Sequence, residues 1–287
     1  MGVDNVPAKL SDIEFGLFKQ FIEEKCGIEI PKEKAYFIES RLSSLLFETG
    51  ASGFDELYQI IRNNQNLKIT AELIDHITTN ETSWFRDKAP WNTMESRLLP
   101  GYISQLRSGK KNKIRIWSAA ASTGQESYST AMFIDSWLEK NGIQDITLAQ
   151  FEIMGTDISH TVLEFAKNAR YDATTMTRGL DPYYKDKYFE KDGLDWKLGD
   201  KIKKAVQFKQ FNLQNSFLSF GKFDIIFCRY VLLYFPNTLK ESIASKLLNS
   251  TLEDSILFIG ASELCEEIEK YFKLTHEEVG TYYVRRT

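Results

Sequence analysis

Short apolar runs alternate with helical patterns from Ile114 to the end of the chain, and this alternation limits the fold more than any other feature. It is typical of an α/β fold with a mostly parallel sheet. The runs DIIFC and ILFIG are almost wholly apolar, as expected of strands buried on both faces. The predicted strands are residues 114–120, 151–158, 206–211, 223–228, 255–261 and 281–286, and the predicted helices are residues 126–139, 161–169, 238–252 and 263–271.

Two segments depart from the alternation. Residues 272–280 and 281–286 are joined by a short glycine turn, which predicts an antiparallel hairpin at one side of the sheet. The stretch from Tyr171 to Lys204 has no clear period. We expect residues 171–204 to form an inserted subdomain, with a short helix and a small β element.

The first 77 residues have a different pattern, which predicts four small helices that each bury one face. Ser11 and Glu14 form a capping-box pattern, and Gly27 and Gly50 stand where the first two helices should end. A further helix is predicted over residues 90–106. We therefore expect a helical N-terminal domain over residues 1–77 and an α/β domain over residues 78–287.

Charge and composition exclude several classes of protein. Lys and Arg number 36 and Asp and Glu 40, a net charge of −4, so we expect no nucleic-acid partner. The three cysteines and three histidines are scattered, which predicts neither a disulfide framework nor a metal site. No secretory leader or bilayer-spanning run is recognisable. We expect a cytoplasmic monomer that does not insert into membranes.

Candidate ligand-binding residues follow the strands, because ligands of open α/β sheets bind beyond the carboxyl ends of the strands. After the first strand, SAAASTG offers small residues close to a helix start, and Glu126 stands where a phosphate ligand would be repelled. A carboxylate there can pair with a ligand ammonium. The alternative is a tight turn whose carboxylate favours the helix dipole.

Asp157 ends the second predicted strand, where a carboxylate commonly binds both ribose hydroxyls. The alternative is a helix N-cap. Together, the small-residue turn and this aspartate suggest a nucleoside ligand without a phosphate, such as S-adenosylmethionine.

Two further strand ends carry candidate groups. Asn212 and Leu213 follow the third strand and suit the edge and face of adenine, with an ordinary turn as the alternative. Arg229, Tyr230 and Tyr234 follow the fourth strand and suit a pocket wall. The alternative for these three is a hydrophobic core with a surface arginine.

The segments TTNETSWFRD, RIWSAAASTGQESYS, GTDIS and FDIIFCRYVLLYF, in this order, resemble the chemotaxis receptor methyltransferase family CheR. The resemblance covers nearly the whole chain. It implies a class I S-adenosylmethionine-dependent methyltransferase fold, a Rossmann-like sheet with an antiparallel last strand, accompanied by an all-α N-terminal domain and a small β insertion. It also implies a protein-glutamate O-methyltransferase that esterifies glutamates on the cytoplasmic helices of chemoreceptors and so sets chemotactic adaptation.

The resemblance assigns a role to each candidate residue. Asn80, Thr82 and Arg86 close over S-adenosylmethionine or its product S-adenosylhomocysteine, with Arg86 near the methyl group. Arg86 and Tyr234 are the implied catalytic residues. The remaining implied cofactor-binding residues are Glu126 at the methionine end, Asp157 at the ribose, Asn212 and Leu213 at the adenine, and Arg229 and Tyr230 in the pocket wall.

Departures from the family pattern leave alternatives open for both the partner and the activity. The family usually has Asn at the position of Tyr230, and its receptor-facing helix is often richer in Arg than ESRLSSLLFE, which has Arg41 alone. Few glycines occur in residues 189–204, which argues against binding of a receptor tail pentapeptide. The alternatives are a non-catalytic module that senses S-adenosylmethionine or S-adenosylhomocysteine, and a methyltransferase for another carboxylate.

Overall fold

A computed structural model describes residues 9–63, 67–263, 265–278 and 280–286. By its internal contacts the chain divides into two compact units. The helical unit contains the described residues up to Thr79 together with Tyr234–Pro236, and the α/β unit contains Asn80–Leu233 and the described residues from Asn237 onward.

The helical unit has the four predicted helices. Ser11 caps the first helix in the predicted capping box with Glu14, and Gly27 and Gly50 end the first two helices in the left-handed conformation. Phe18 is fully buried and packs edge-to-face against Phe54 and Tyr58. The helices are α1 (Asp12–Cys26), α2 (Ala35–Thr49), α3 (Phe54–Arg62) and α4 (Leu67–Ile77).

A seven-stranded sheet organises the α/β unit, as predicted. The strands are β1 (Ile114–Ala119), β2 (Phe151–Asp157), β6 (Val206–Gln210), β7 (Phe223–Cys228), β8 (Thr251–Phe258), β9 (Phe272–Glu277) and β10 (Gly280–Arg285). Their order is β6-β2-β1-β7-β8-β10-β9, and only the pairs formed by β10 are antiparallel. β7 is buried along its whole length, which agrees with its apolar sequence.

Helices connect these strands close to the predicted bounds. The helix predicted over residues 90–106 is instead two α-helices joined by a π-helical turn at Met94–Leu98. The helices are α5 (Ala89–Thr93), α6 (Leu99–Arg107), α7 (Gln125–Lys140), α8 (His160–Asn168) and α12 (Asn237–Asn249).

The helix predicted over residues 263–271 is wrong in length, since only α13 (Glu266–Glu269) forms. The reason is the side chain of Glu263, which is buried and accepts hydrogen bonds from the backbone N–H groups of Tyr230 and Gly260. Drawing the carboxylate inward leaves Glu263 in a loop that precedes the helix.

The stretch that lacks a sequence period contains a small antiparallel sheet of three strands. Its elements are β3 (Arg170–Tyr171), α9 (Ala173–Thr177), α10 (Pro182–Tyr188), β4 (Phe189–Asp192), β5 (Asp195–Leu198) and α11 (Asp200–Lys204). The strand order is β3-β5-β4. This stretch has three short helices rather than the single one expected.

The topology explains where the candidate residues meet. Strands β6, β2, β1 and β7 are adjacent and parallel, so the loops that follow them share one edge of the sheet. Within the described ranges, no helix is long and apolar enough to cross a membrane.

Close packing at this edge predicts that Gly155→Ala destabilises the protein. A Cβ at Gly155 would come within 2.6 Å of the Phe208 ring and 2.9 Å of the Ser127 hydroxyl. Overpacking of this kind costs about 1–3 kcal/mol, which urea denaturation would measure.

Gly101→Ala is the matched control, because a Cβ at Gly101 meets no atom within 4 Å. We expect it to leave stability unchanged or to raise it by up to ~1 kcal/mol, since alanine favours helix. Equal losses in the two variants would contradict the packing argument.

Candidate functional site

A buried arginine occupies the centre of the candidate site. Arg229 follows β7, and its side chain is 1% exposed. Its guanidinium donates hydrogen bonds to Glu126 at 2.7 Å, to Asp87 at 2.6 Å and to the carbonyl oxygen of Arg86 at 2.6 Å. The predicted alternative of a surface arginine at this position is therefore wrong.

These contacts form an acidic trio, defined here as Asp87, Arg229 and Glu126. Two carboxylates share one guanidinium, so the trio carries one net negative charge. Burial by itself raises the pKa of Asp87, but hydrogen bonds from Tyr230 and Arg229 outweigh burial and hold that pKa below its ordinary value. A partly buried site with net negative charge suits a ligand that carries positive charge.

Glu126 lies in the first turn of α7, as predicted. It accepts a hydrogen bond from the Ser118 hydroxyl as well as the bond from Arg229. A carboxylate offers about four lone pairs, so two acceptor positions remain for a ligand. The carboxylate is thus compatible with both predicted roles, ammonium pairing and interaction with the helix dipole.

The turn after β1 has an unusual backbone. Ala120 and Ser122 have positive φ values of 64° and 49°, and Gly124 has φ of 92°. Left-handed backbone at non-glycine residues costs of order 1–3 kcal/mol each and clusters at functional sites. A Cβ at Gly124 would lie 2.9 Å from Ala166, so glycine is required for packing as well as for conformation.

Asp157 is buried at the carboxyl end of β2, next to this turn. Its two carboxylate oxygens accept hydrogen bonds from the N–H groups of Ser122 at 2.9 Å and Ser159 at 3.0 Å. The predicted alternative of a helix cap is wrong, because Ser159 is the N-cap of α8. The carboxylate is therefore oriented by two fixed backbone donors.

The segment Asn80–Asp87 is attached to the edge of the sheet at both ends. The Ser122 hydroxyl donates to the Asn80 carbonyl at 2.8 Å, and Arg229 binds the carbonyl of Arg86 and the carboxylate of Asp87. Thr82 is half-buried between these attachments. Among the described residues the Arg86 guanidinium has no carboxylate partner, and it donates only to the carbonyl of Glu81, at 3.3 Å.

Asn212 and Leu213 follow β6 in a turn closed by their own neighbours. The Asn212 side chain accepts from the Gln214 N–H at 2.9 Å, as in the predicted turn alternative. Leu213 is buried, and its carbonyl accepts from the Lys246 ammonium at 2.8 Å. The same ammonium donates to the carbonyl of Gln214 at 3.0 Å, so α12 fixes the shape of this turn.

Tyr234 belongs by its contacts to the helical unit, where its carbonyl accepts from the Glu29 N–H at 2.8 Å. Nine of the ten predicted residues lie in the α/β unit: Asn80, Thr82, Arg86, Glu126, Asp157, Asn212, Leu213, Arg229 and Tyr230. No group of His, Cys, Asp or Glu within the described ranges is arranged to hold a metal ion.

Sequence reasoning missed three residues that shape the site: Asp87, Lys246 and Glu263. Asp87 directly follows Arg86 in the segment that carries the resemblance, so that segment could have indicated it. Lys246 and Glu263 act from a helix and a loop whose sequences carry no such pattern.

Comparison with known proteins agrees with this architecture. Residues 80–281 match the family model described as CheR methyltransferase, SAM binding domain, and residues 13–78 match the model of its all-alpha domain. Chemotaxis protein methyltransferase Cher2 of Pseudomonas putida is 34% identical over 95% of this chain and 98% of its own length. Chemotaxis protein methyltransferase 1 of Pseudomonas aeruginosa is 36% identical over 95% of this chain and 98% of its own.

The match extends beyond this genus. The chemotaxis protein methyltransferase of Vibrio anguillarum is 36% identical over 96% of this chain and 97% of its own length. The predictions of a methyltransferase fold and of S-adenosylmethionine as cofactor are confirmed. The chain belongs to the CheR methyltransferase family, and it is an S-adenosylmethionine-dependent methyltransferase.

Proposed function

We propose that the protein methyl-esterifies glutamate side chains on the cytoplasmic helices of chemoreceptors. The observation that carries the proposal is the Arg86 guanidinium, which lies at the edge of the acidic trio without a carboxylate partner in the described part of the chain. Arginine binds carboxylates through paired hydrogen bonds, so Arg86 is suited to orient a substrate carboxylate. The names of the relatives, chemotaxis protein methyltransferases, support a receptor as the substrate.

The residues present fit S-adenosylmethionine. Asp157 is a buried, oriented carboxylate at a strand end, which suits ribose hydroxyls, and the acidic trio suits the ammonium group of the amino-acid tail. Asn80, Thr82 and Arg86 would hold the cofactor from the attached segment, Asn212 and Leu213 would border the adenine, and Arg229 and Tyr230 would complete the wall. We also propose residues 1–77 and 78–287 as the functional domains, with 171–204 inserted.

When bound, the cofactor supplies a methyl group that is attached to a sulfonium sulfur. The leaving group of the transfer is a neutral thioether. An ionised glutamate is already a nucleophile, so the protein needs no general base. Its task is to strip water from the carboxylate and aim one oxygen at the methyl carbon, which makes positioning the main contribution. Arg86 and the Tyr234 hydroxyl would donate hydrogen bonds to the other oxygen.

The proposal predicts that the protein transfers labelled methyl groups from S-adenosylmethionine to receptor-containing membranes. Alkali should then release the label from these membranes as methanol. Alkali hydrolyses methyl esters but leaves methylated amines intact, so the released label identifies the bond. Transfer only to another carboxylate, or binding of the cofactor without transfer, would contradict the proposal in favour of one of its alternatives.

The same assay across a salt series tests the docking mode. α2 exposes Arg41 as its only cation, and it also exposes Tyr36 and Phe47. We propose that docking involves few ion pairs and no tail pentapeptide, so the rate should fall only shallowly with salt. A steep fall, or micromolar binding of a free receptor-tail peptide, would contradict this mode.

Asp157→Ala should weaken binding of S-adenosylhomocysteine by roughly 1–3 kcal/mol, because ligand hydroxyls and two backbone N–H groups would lose their acceptor. Calorimetry measures this against the wild-type protein, for which we expect about one site per chain. Asp145→Ala is the control. Asp145 forms an exposed ion pair with Arg107, and it precedes β2 rather than following a strand as the candidate residues do. An unchanged affinity in Asp157→Ala would contradict the ribose assignment.

Arg86→Ala and Tyr234→Phe should lower turnover more than cofactor affinity. Both side chains are proposed to bind the substrate carboxylate rather than the adenosine. The rate at saturating cofactor and the dissociation constant of S-adenosylhomocysteine give the two quantities to compare. Equal losses in both would place these residues in ligand binding alone.

A further inference from the structure

The Arg86 guanidinium lies against an aromatic ring. Its central carbon is 3.5 Å from the centroid of the Tyr230 ring. At this distance the ring quadrupole attracts the cation, and a planar guanidinium can also stack on the ring face. The Arg86 side chain would otherwise have many rotamers, because its one hydrogen bond within the described chain is long.

The Tyr230 ring is itself held from three directions. Its hydroxyl donates to the Asp87 carboxylate at 2.8 Å, and its backbone N–H donates to the buried carboxylate of Glu263. Tyr230 has φ of 57°, so the hydrogen bond to Glu263 stabilises a conformation that tyrosine rarely adopts. Gly260 lies beside the ring, where a Cβ would come within 2.9 Å of ring carbons.

Asp87 links these contacts to the acidic trio. It accepts from Tyr230 and from Arg229, and Arg229 also holds the carbonyl of Arg86. One hydrogen-bond network therefore fixes both the backbone of Arg86 and the Tyr230 ring that its side chain contacts.

We propose that Tyr230 is a positioning residue, which holds the Arg86 guanidinium in place for the substrate carboxylate. The inference rests on the proposed function of Arg86. The ring acts as the platform, and the hydroxyl orients the ring through Asp87. Tyr230 thus acts on the reaction through Arg86 rather than by contact with the reacting atoms.

Nuclear magnetic resonance of the free protein tests the platform directly. The side-chain Nε–Hε signal of Arg86, assigned by its loss in Arg86→Lys, should be shifted upfield by the ring current in the wild type. It should stay shifted in Tyr230→Phe, which keeps the ring, and return to the position of free arginine in Tyr230→Leu. An unshifted wild-type signal would overturn the inference without any tyrosine variant.

Kinetics test whether Tyr230 acts through Arg86. Tyr230→Leu should lower the rate at saturating cofactor about tenfold, and Tyr230→Phe less than about threefold, because positioning is lost only with the ring. In an Arg86→Ala background, Tyr230→Leu should cost less than about twofold, since the group it positions is already absent. Another tenfold loss in that background would overturn the inference.

Tyr183→Leu is the matched control. Tyr183 is 40% exposed on α10, and we expect neither the Arg86 signal nor the rate to change. Binding of S-adenosylhomocysteine distinguishes a failure of the proposed function from a failure of the Tyr230 role alone. A wild type that binds none overturns the proposed function, whereas normal binding with additive kinetic losses overturns the role of Tyr230 alone.

Discussion

The buried guanidinium of Arg229 is the interaction on which the site depends. It has hydrogen bonds to two carboxylates and one carbonyl, and these groups come from two segments of the chain far from Arg229 itself. Removing one partner of a buried ion pair commonly costs about 3–5 kcal/mol, because the other charge is left uncompensated. Arg229 therefore ties the start of α7, the end of β7 and the segment Asn80–Asp87 into one arrangement.

Strained backbone accompanies this arrangement. Of the six described non-glycine residues with positive φ, five lie in the site: Phe85, Asp87, Ala120, Ser122 and Tyr230. Four of these five, Phe85, Asp87, Ser122 and Tyr230, are held by specific hydrogen bonds, such as the one from the Tyr230 N–H to Glu263. Local backbone strain is thus concentrated in the candidate binding site, and functional sites are where such strain usually occurs.

Much of the fold could be predicted because its signals are local. The capping box at Ser11, the glycine at the end of α1 and the apolar run of β7 each depend on a few neighbouring residues. The site could be predicted in part, since the residues after parallel strands must share one edge. The length of α13 could not, because it depends on where the Glu263 carboxylate is buried.

The sequence by itself determined the α/β class, the helical N-terminal segment, the family and which candidate residues follow the strands. Periodicity and order along the chain are enough for these, because both are short-range properties. Only the tertiary structure decided which charges pair: that Arg229 is buried rather than exposed, that Asp87 belongs to the site, and that Tyr230 lies under Arg86. The physical reason is that hydrogen bonds and ion pairs depend on distances of about 3 Å between residues far apart in the chain, and no local pattern encodes such distances.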